Sequence, residues 1–341
     1  MATIDADAHV VENELTWSYV DASQRDAMPK LVTIPGNGRN TVMWALDNQL
    51  IRTGPVSETD AVKADRELED VAARIAHMDE LETDIQVIFP TIFLRPLTRK
   101  PELELMLSRS YNRWLAERCL RGGDRLRWAV VPPTMMVDAA IEELRFGKEH
   151  GACAVFWRGV EGDRQPGNPY FDPIYAEAER LDLPICIHAA NGNFAMHDFL
   201  PDDSGLFRFK VPGIIAFHQI LSSKLPERFP RLRFGFIELS AQWAPYALHD
   251  YVRRGARRSL QLDPRTLMAE NRMYVACQTD DDIPYVLRYA GDDNLVAGTD
   301  YGHADTSSEL RALQIMRGRE DTSAAAMDKI LDANPRALYG L

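Results

Sequence analysis

The sequence predicts an α/β protein folded as a (β/α)8 TIM barrel, with long loop insertions at the catalytic face. Eight short apolar or β-branched runs punctuate the chain, and amphipathic segments of helical character separate them. The runs are apolar without alternation, as expected of parallel strands covered on both faces. At 341 residues the chain exceeds the usual domain size. Closed α/β barrels use about 250 residues or more as one unit, so residues 1–341 read as a single domain.

In chain order the strand-like runs are 3–11 (TIDADAHVV), 85–91 (IQVIFPT), 126–132 (LRWAVVP), 152–158 (ACAVFWR), 184–190 (PICIHAA), 232–239 (LRFGFIEL), 273–278 (MYVACQ) and 295–301 (LVAGTDY). Helical candidates lie between them at 65–81, 102–120, 138–150, 173–181, 243–254 and 305–316. Two stretches exceed this repeat. Residues 13–64 contain PGNGRN and the hairpin-like TVMWALDNQLIRTG, and residues 191–212 are rich in Gly, Asn, Asp and Pro. Loops this long at the catalytic end of a barrel are expected to shape or cover the pocket.

Composition narrows the function classes. Apolar residues make up 45% of the chain and charged residues 26%, which suits a globular protein with a large core. The net charge of −12, with no Lys/Arg-rich run to offset it, disfavours nucleic acid and anionic membrane surfaces as partners. The opening MATIDADAHVVE has neither a basic nor a long apolar region, so a cytoplasmic location is expected. Cys119, Cys153, Cys186 and Cys277 lie far apart and are read as buried free thiols.

Four of the eight runs end in residues able to coordinate metals, and a barrel gathers the C-terminal ends of its strands around one mouth. Asp7 and His9, two apart on a strand, point to the same side and could clasp one ion. The fifth run ends in His188, the sixth in Glu238, and the eighth in Asp300 followed by His303; Glu12 lies just past the first. Carboxylate plus imidazole suits zinc, manganese or iron, as one ion or two. Any one of these residues alone is more simply a cap or a hydrogen-bonded loop residue. Together they point to a metal site, because a charge such as Asp7 or Glu238 inside an apolar run needs a charged partner.

The chain here resembles the amidohydrolase superfamily, in the branch of aminocarboxymuconate-semialdehyde decarboxylase and related metal-dependent hydrolases. The resemblance covers nearly the whole chain. It rests on IDADAH at 4–9, the His188 of ICIHAA, FPRLRFGFIELSAQWAPY at 229–246, GTDYGH at 298–303 and the closing NPRALYGL at 334–341. It implies that Asp7 and His9 take the places of the first-strand metal pair, His188 the fifth-strand ligand and Asp300 the eighth-strand aspartate, which also serves as general base. Asp7 replaces the first His of the usual pair, and Glu238 stands where the decarboxylases carry a histidine that activates water. The expected activity is hydrolysis or non-oxidative decarboxylation of a small aromatic or apolar carboxylic acid through a metal-activated water. The carboxylate-rich ligand set also meets the needs of a nonheme di-iron monooxygenase on the same scaffold, and a barrel that has lost catalysis is the third reading.

Further candidates complete the set. His218, in IIAFHQILSS, is a catalytic candidate whose plainer reading is a satisfied core histidine. Arg158 could hold a substrate carboxylate bidentately, or pair with a neighbouring acid. Trp243, with Trp17, Trp44, Phe93 and Phe194, could wall an apolar substrate, although packing of long loops predicts the same aromatics. The apolar hairpin in the early excursion could supply a twofold patch, so a homo-oligomer, most simply a dimer, is expected.

Overall fold

The computed structural model describes residues 2–35, 40–53, 63–200 and 203–341. Part of PGNGRN (36–39) and the end of the early excursion (54–62) lie outside the described residues.

Each of the eight predicted runs forms a strand. They are β1 (Ile4–Val10), β5 (Ile85–Pro90), β6 (Leu126–Val130), β7 (Ala152–Arg158), β8 (Ile185–His188), β9 (Phe234–Ile237), β10 (Met273–Cys277) and β11 (Leu295–Ala297). All neighbours pair in parallel, in the order β1-β5-β6-β7-β8-β9-β10-β11. The barrel closes beyond β11, where the His9 N–H donates to the Tyr301 carbonyl (2.8 Å) and the Asp300 N–H to the Asp7 carbonyl (2.9 Å). Gly298 permits this closure: a Cβ there would lie 2.3 Å from the Asp7 Cβ.

A buried polar chain reinforces the seam. The Asp5 carboxylate accepts from the Thr299 N–H (2.9 Å), the Thr299 hydroxyl (2.6 Å) and Gln86 Nε2 (3.0 Å). Gln86 Oε1 in turn accepts from Arg74 Nε (2.7 Å), and the Arg74 guanidinium stacks on Tyr301. Burial pushes the Asp5 carboxyl up to about 7 despite the Thr299 bonds. Asp5→Ala would orphan the Thr299 and Gln86 donors, so it is expected to cost about 3 kcal/mol of stability. An unchanged urea midpoint would show that the seam does not need it.

The hairpin in the early excursion is present as β3 (Thr41–Leu46) and β4 (Gln49–Arg52). Its turn residues Asp47 and Asn48 have φ of 47° and 59°, the left-handed pair that a two-residue hairpin turn demands. A third strand, β2 (Lys30–Ile34), pairs with β3 and was not anticipated.

Helices cover the outside of the barrel, among them Val71–Glu80, Pro101–Arg121, Val137–Glu149, Asp172–Arg180 and Trp243–Ala256, close to the predicted spans. The predicted helix at 305–316 shrinks to Ala312–Arg317. Asp305 Oδ1 accepts from the Ser307 N–H, a local bond that competes with helix and turns the chain across the barrel mouth. Residues 191–212 hold a short helix, Phe194–Phe199, and a wide π-helical turn, Leu206–Lys210, that runs into the helix Val211–Ser222. All four cysteines are buried and free, as expected.

Candidate metal centre

Strand alternation decides which side chains reach the barrel axis. On β1, Asp7 and His9 project together into the mouth, and β8 adds His188 beside them. Glu238 and Asp300 follow the last residues of β9 and β11 with φ of 61° and 53°. Left-handed backbone is costly for residues with a side chain and concentrates at functional sites. Here it turns two carboxylates inward past the strand ends.

His9 Nε2 stands 3.3 Å from Asp300 Oδ1, 3.5 Å from Asp7 Oδ1 and 4.0 Å from Glu238 Oε2. His188 Nε2 lies 3.1 Å from Asp7 Oδ1, and its Nδ1 lies 3.3 Å from Glu238 Oε2. His303 Nδ1 is 2.8 Å from Asp300 Oδ1, while its Nε2 meets the Thr91 hydroxyl at 2.9 Å. All six residues are buried.

His9 Nδ1 meets the Pro90 carbonyl at 3.0 Å and must donate to it, so Nε2 presents a lone pair to the carboxylates around it. Burial, then the neighbouring His303 and His188, hold the His9 pKa well below the usual histidine range, so the ring stays neutral. Burial pushes Glu238 well above the usual carboxylate range, and the charges of Asp300, Asp305 and Asp7 add to this. Burial is the largest influence on His303 and opposes its charge, but Asp300, Asp305 and Asp7 together outweigh it and raise that pKa.

His9 Nε2, Glu238 Oε2, Asp300 Oδ1 and His303 Nδ1 are buried without a hydrogen-bond partner, and so is His188 Nδ1. Unpartnered buried polar atoms gathered this closely are unfavourable unless a cation joins some of them. The 3.3 Å between His9 Nε2 and Asp300 Oδ1 and the 3.1 Å between His188 Nε2 and Asp7 Oδ1 fit ligands of one ion, whereas the 4.0 Å from His9 Nε2 to Glu238 Oε2 is wider. Ligands ~2.0–2.2 Å from an ion sit roughly 3.0–3.6 Å from each other in tetrahedral or octahedral shells. Two ligand groups can be drawn, His9–Glu238–Asp300–His303 and Asp7–His9–His188, and they share His9.

A cavity of about 480 Å³ opens onto this cluster, lined by Glu238, His303, Asp305, Arg95, Lys210 and Phe209 among others. Lys210 comes from the π-helical turn of the predicted covering loop, and Arg95 from the loop after β5.

The structure does not bring the remaining candidates into the cluster. Glu12, expected as a ligand, accepts from the Thr91 and Ile92 N–H groups (3.0 and 2.9 Å) and so fixes the loop after β5. Glu12→Gln is therefore expected to leave metal content intact and cost about 1 kcal/mol of stability, checked by metal analysis and thermal melting; a halved metal content would return it to the ligand set. His218 lies in the helical layer, with Nε2 3.2 Å from Asp250 Oδ2 and its ring edge-on to Tyr251, away from the metal cluster. Arg158 is held by Glu161 and Glu104 in a separate cavity of about 350 Å³, also lined by Phe93 and Phe194. Trp243 packs on Phe217 and Phe236, and Trp17 on Trp44, so these aromatics fill the fold.

Sequence reasoning missed Arg95, Lys210, Asp305 and Ser308, whose hydroxyl donates to Asp300 Oδ2 at 2.6 Å. Asp305 and Ser308 lie just past GTDYGH, and Arg95 just past a strand end, which was signal enough to include them. Lys210 carried no such mark.

A family model described as amidohydrolase matches residues 4–341. Among curated proteins, the chain is similar to a gamma-resorcylate decarboxylase of Rhodococcus jostii (strain RHA1), 31% identical over 136 residues, or 37% of this chain and 40% of that one. A gamma-resorcylate decarboxylase of Rhizobium sp. (strain MTP-10005) is 29% identical over 149 residues, covering 41% of this chain and 42% of the relative. The chain thus spans about two fifths of the length of these relatives. Two solved structures share the fold over the whole length. One is an amidohydrolase from Mycobacterium avium subsp. paratuberculosis K-10 (TM-score 0.79, 19% identity, 99% of each chain). The other is a 5-carboxyvanillate decarboxylase from Novosphingobium aromaticivorans DSM 12444, in complex with manganese and 4-hydroxy-3-methoxy-5-nitrobenzoic acid (TM-score 0.73, 18% identity, 100% of this chain and 96% of that one).

Proposed function

The chain belongs to the amidohydrolase family, and we propose that it is a metal-dependent, non-oxidative decarboxylase of aromatic carboxylic acids. The observation that carries this reading is the buried cluster of acid and imidazole groups around His9 Nε2, onto which a cavity that also carries Arg95 and Lys210 opens. The partial likeness to gamma-resorcylate decarboxylases supports decarboxylation over hydrolysis.

Asp7, His9, His188 and Asp300 would hold a single ion. Because His9 Nδ1 is engaged by Pro90, only Nε2 is free to ligate, and the two ligand groups that share it describe one site. A divalent ion held there would supply a Lewis acid to polarise the substrate acid. Manganese is the first metal to test, since the 5-carboxyvanillate decarboxylase carries it.

The chain's own groups do the rest. Glu238 and Asp305 line the cavity and Asp7, His9 and His188 do not, and of the two Glu238 is the one that borders His9 and His188, so Glu238 is the carboxyl placed between metal site and substrate. Its role is to deliver a proton to the ring carbon that bears the carboxylate. A C–H bond forms, the C–C bond breaks, carbon dioxide leaves, and the bonding pair returns to the ring. Burial favours the protonated carboxyl that this step needs. Leu94, Leu206 and Phe209 give the ring an apolar surround.

Manganese-loaded protein is expected to release carbon dioxide from hydroxylated benzoic acids without oxygen and to exchange the product's ring hydrogen in deuterated water. Loss of activity on chelation and recovery on adding manganese should accompany this. Two irons per chain with reductant-dependent oxygen uptake, and no carbon dioxide, would replace this reading with the monooxygenase one.

A further inference from the structure

We infer that the substrate carries a second carboxylate, held by Arg95 with Lys210 beside it, so that the site selects aromatic diacids. This rests on the aromatic-acid reading above. Both cations line the cavity that opens onto Glu238 and His303. They come from separate segments, Arg95 from the loop after β5 and Lys210 from the end of the π-helical turn, so the fold converges them on one space.

Arg95 is half-buried, and its guanidinium makes no hydrogen bond or ion pair with any described residue. The charges that shift its pKa are of its own sign. After burial, the charges of Arg208 and Arg52 are the next causes that lower its pKa. Arg158 provides the contrast. That buried guanidinium, which donates to the Arg95 carbonyl, is satisfied by Glu161 and Glu104. The fold thus balances one arginine internally and leaves its neighbour facing a cavity.

The acids of that cavity do not answer Arg95. Glu238 feels Lys210 and belongs to the metal cluster, and Asp305 faces Asp300 and His303. Lys210 Nζ donates to the Ser307 hydroxyl at 3.3 Å, a neutral partner. A monoacid whose carboxylate sits at the metal end leaves the Arg95 fork unmatched. A second carboxylate on the ring matches it in charge and planar geometry. A volume of about 480 Å³ is ample for a benzene ring with two such substituents.

The test is calorimetric binding of benzoate, isophthalate and terephthalate to manganese-loaded protein and its Arg95 variants. One of the diacids is expected to bind the native protein about 10- to 100-fold more tightly than benzoate, the range for a charge-assisted pair. Arg95→Gln should remove that advantage and leave manganese content and benzoate affinity little changed. Arg95→Lys, which keeps charge but loses the fork, should fall between. If Arg95→Gln weakens benzoate and diacid equally, or neither, the second-carboxylate site is wrong while the aromatic-acid reading stands. If the native manganese protein binds none of the acids, both are wrong.

Discussion

His188→Ala is expected to fold normally, to lose most of its bound metal and to show no measurable decarboxylation. His188 contributes one ring at the end of β8, where it lies 3.1 Å from Asp7 Oδ1 and 3.3 Å from Glu238 Oε2. Removing it takes an imidazole from the ligand set and leaves two acids closer to bare mutual repulsion. Even groups that only orient a metal ligand change affinity by about 10–100-fold, so a direct ligand should exceed about 100-fold. The strands below it are packed independently, through Ile185, Cys186 and Ile187, so circular dichroism should be unchanged. Full metal content with full activity in this variant would remove the site assignment.

Glu238→Gln should separate two roles that His188→Ala cannot. The amide keeps the shape of the side chain but has no proton to give at Oε2. Turnover is therefore expected to fall by about 10²–10⁴-fold, the usual contribution of a positioned proton donor, while manganese stays bound. The limb of the pH profile that reports this carboxyl should vanish as well. Burial and neighbouring acids raise its pKa, so the limb it contributes is a loss of rate as pH rises through the raised value. Loss of the metal together with the rate would make Glu238 a ligand and move the proton transfer to Asp300.

Much of the site was legible because it depends on strand position alone. Asp7 and His9 share a face by strand alternation, and His188, Glu238 and Asp300 are fixed at one mouth by the common direction of parallel strands. The candidates that the structure moved elsewhere depend on longer paths. Glu12 is taken by two backbone N–H groups from a loop about 80 residues away, as the 79- and 80-residue separations show. His218 sits on a helix whose buried side is already filled by Ala216, Phe217, Ile220 and Leu221, which leaves its ring to a neighbouring helix and Asp250.

The sequence by itself determined the eight strands, the barrel and the residues at the strand ends, because apolar runs and their spacing are local properties that burial enforces wherever the chain goes. Tertiary structure alone decided that β2 joins the hairpin, that Arg158 is neutralised and Arg95 is not, and that Lys210 reaches the cavity. Those outcomes depend on which distant groups compete for each polar atom. Hydrogen bonds and charge pairs between segments far apart in the chain settle that competition, and no periodicity in the sequence records it.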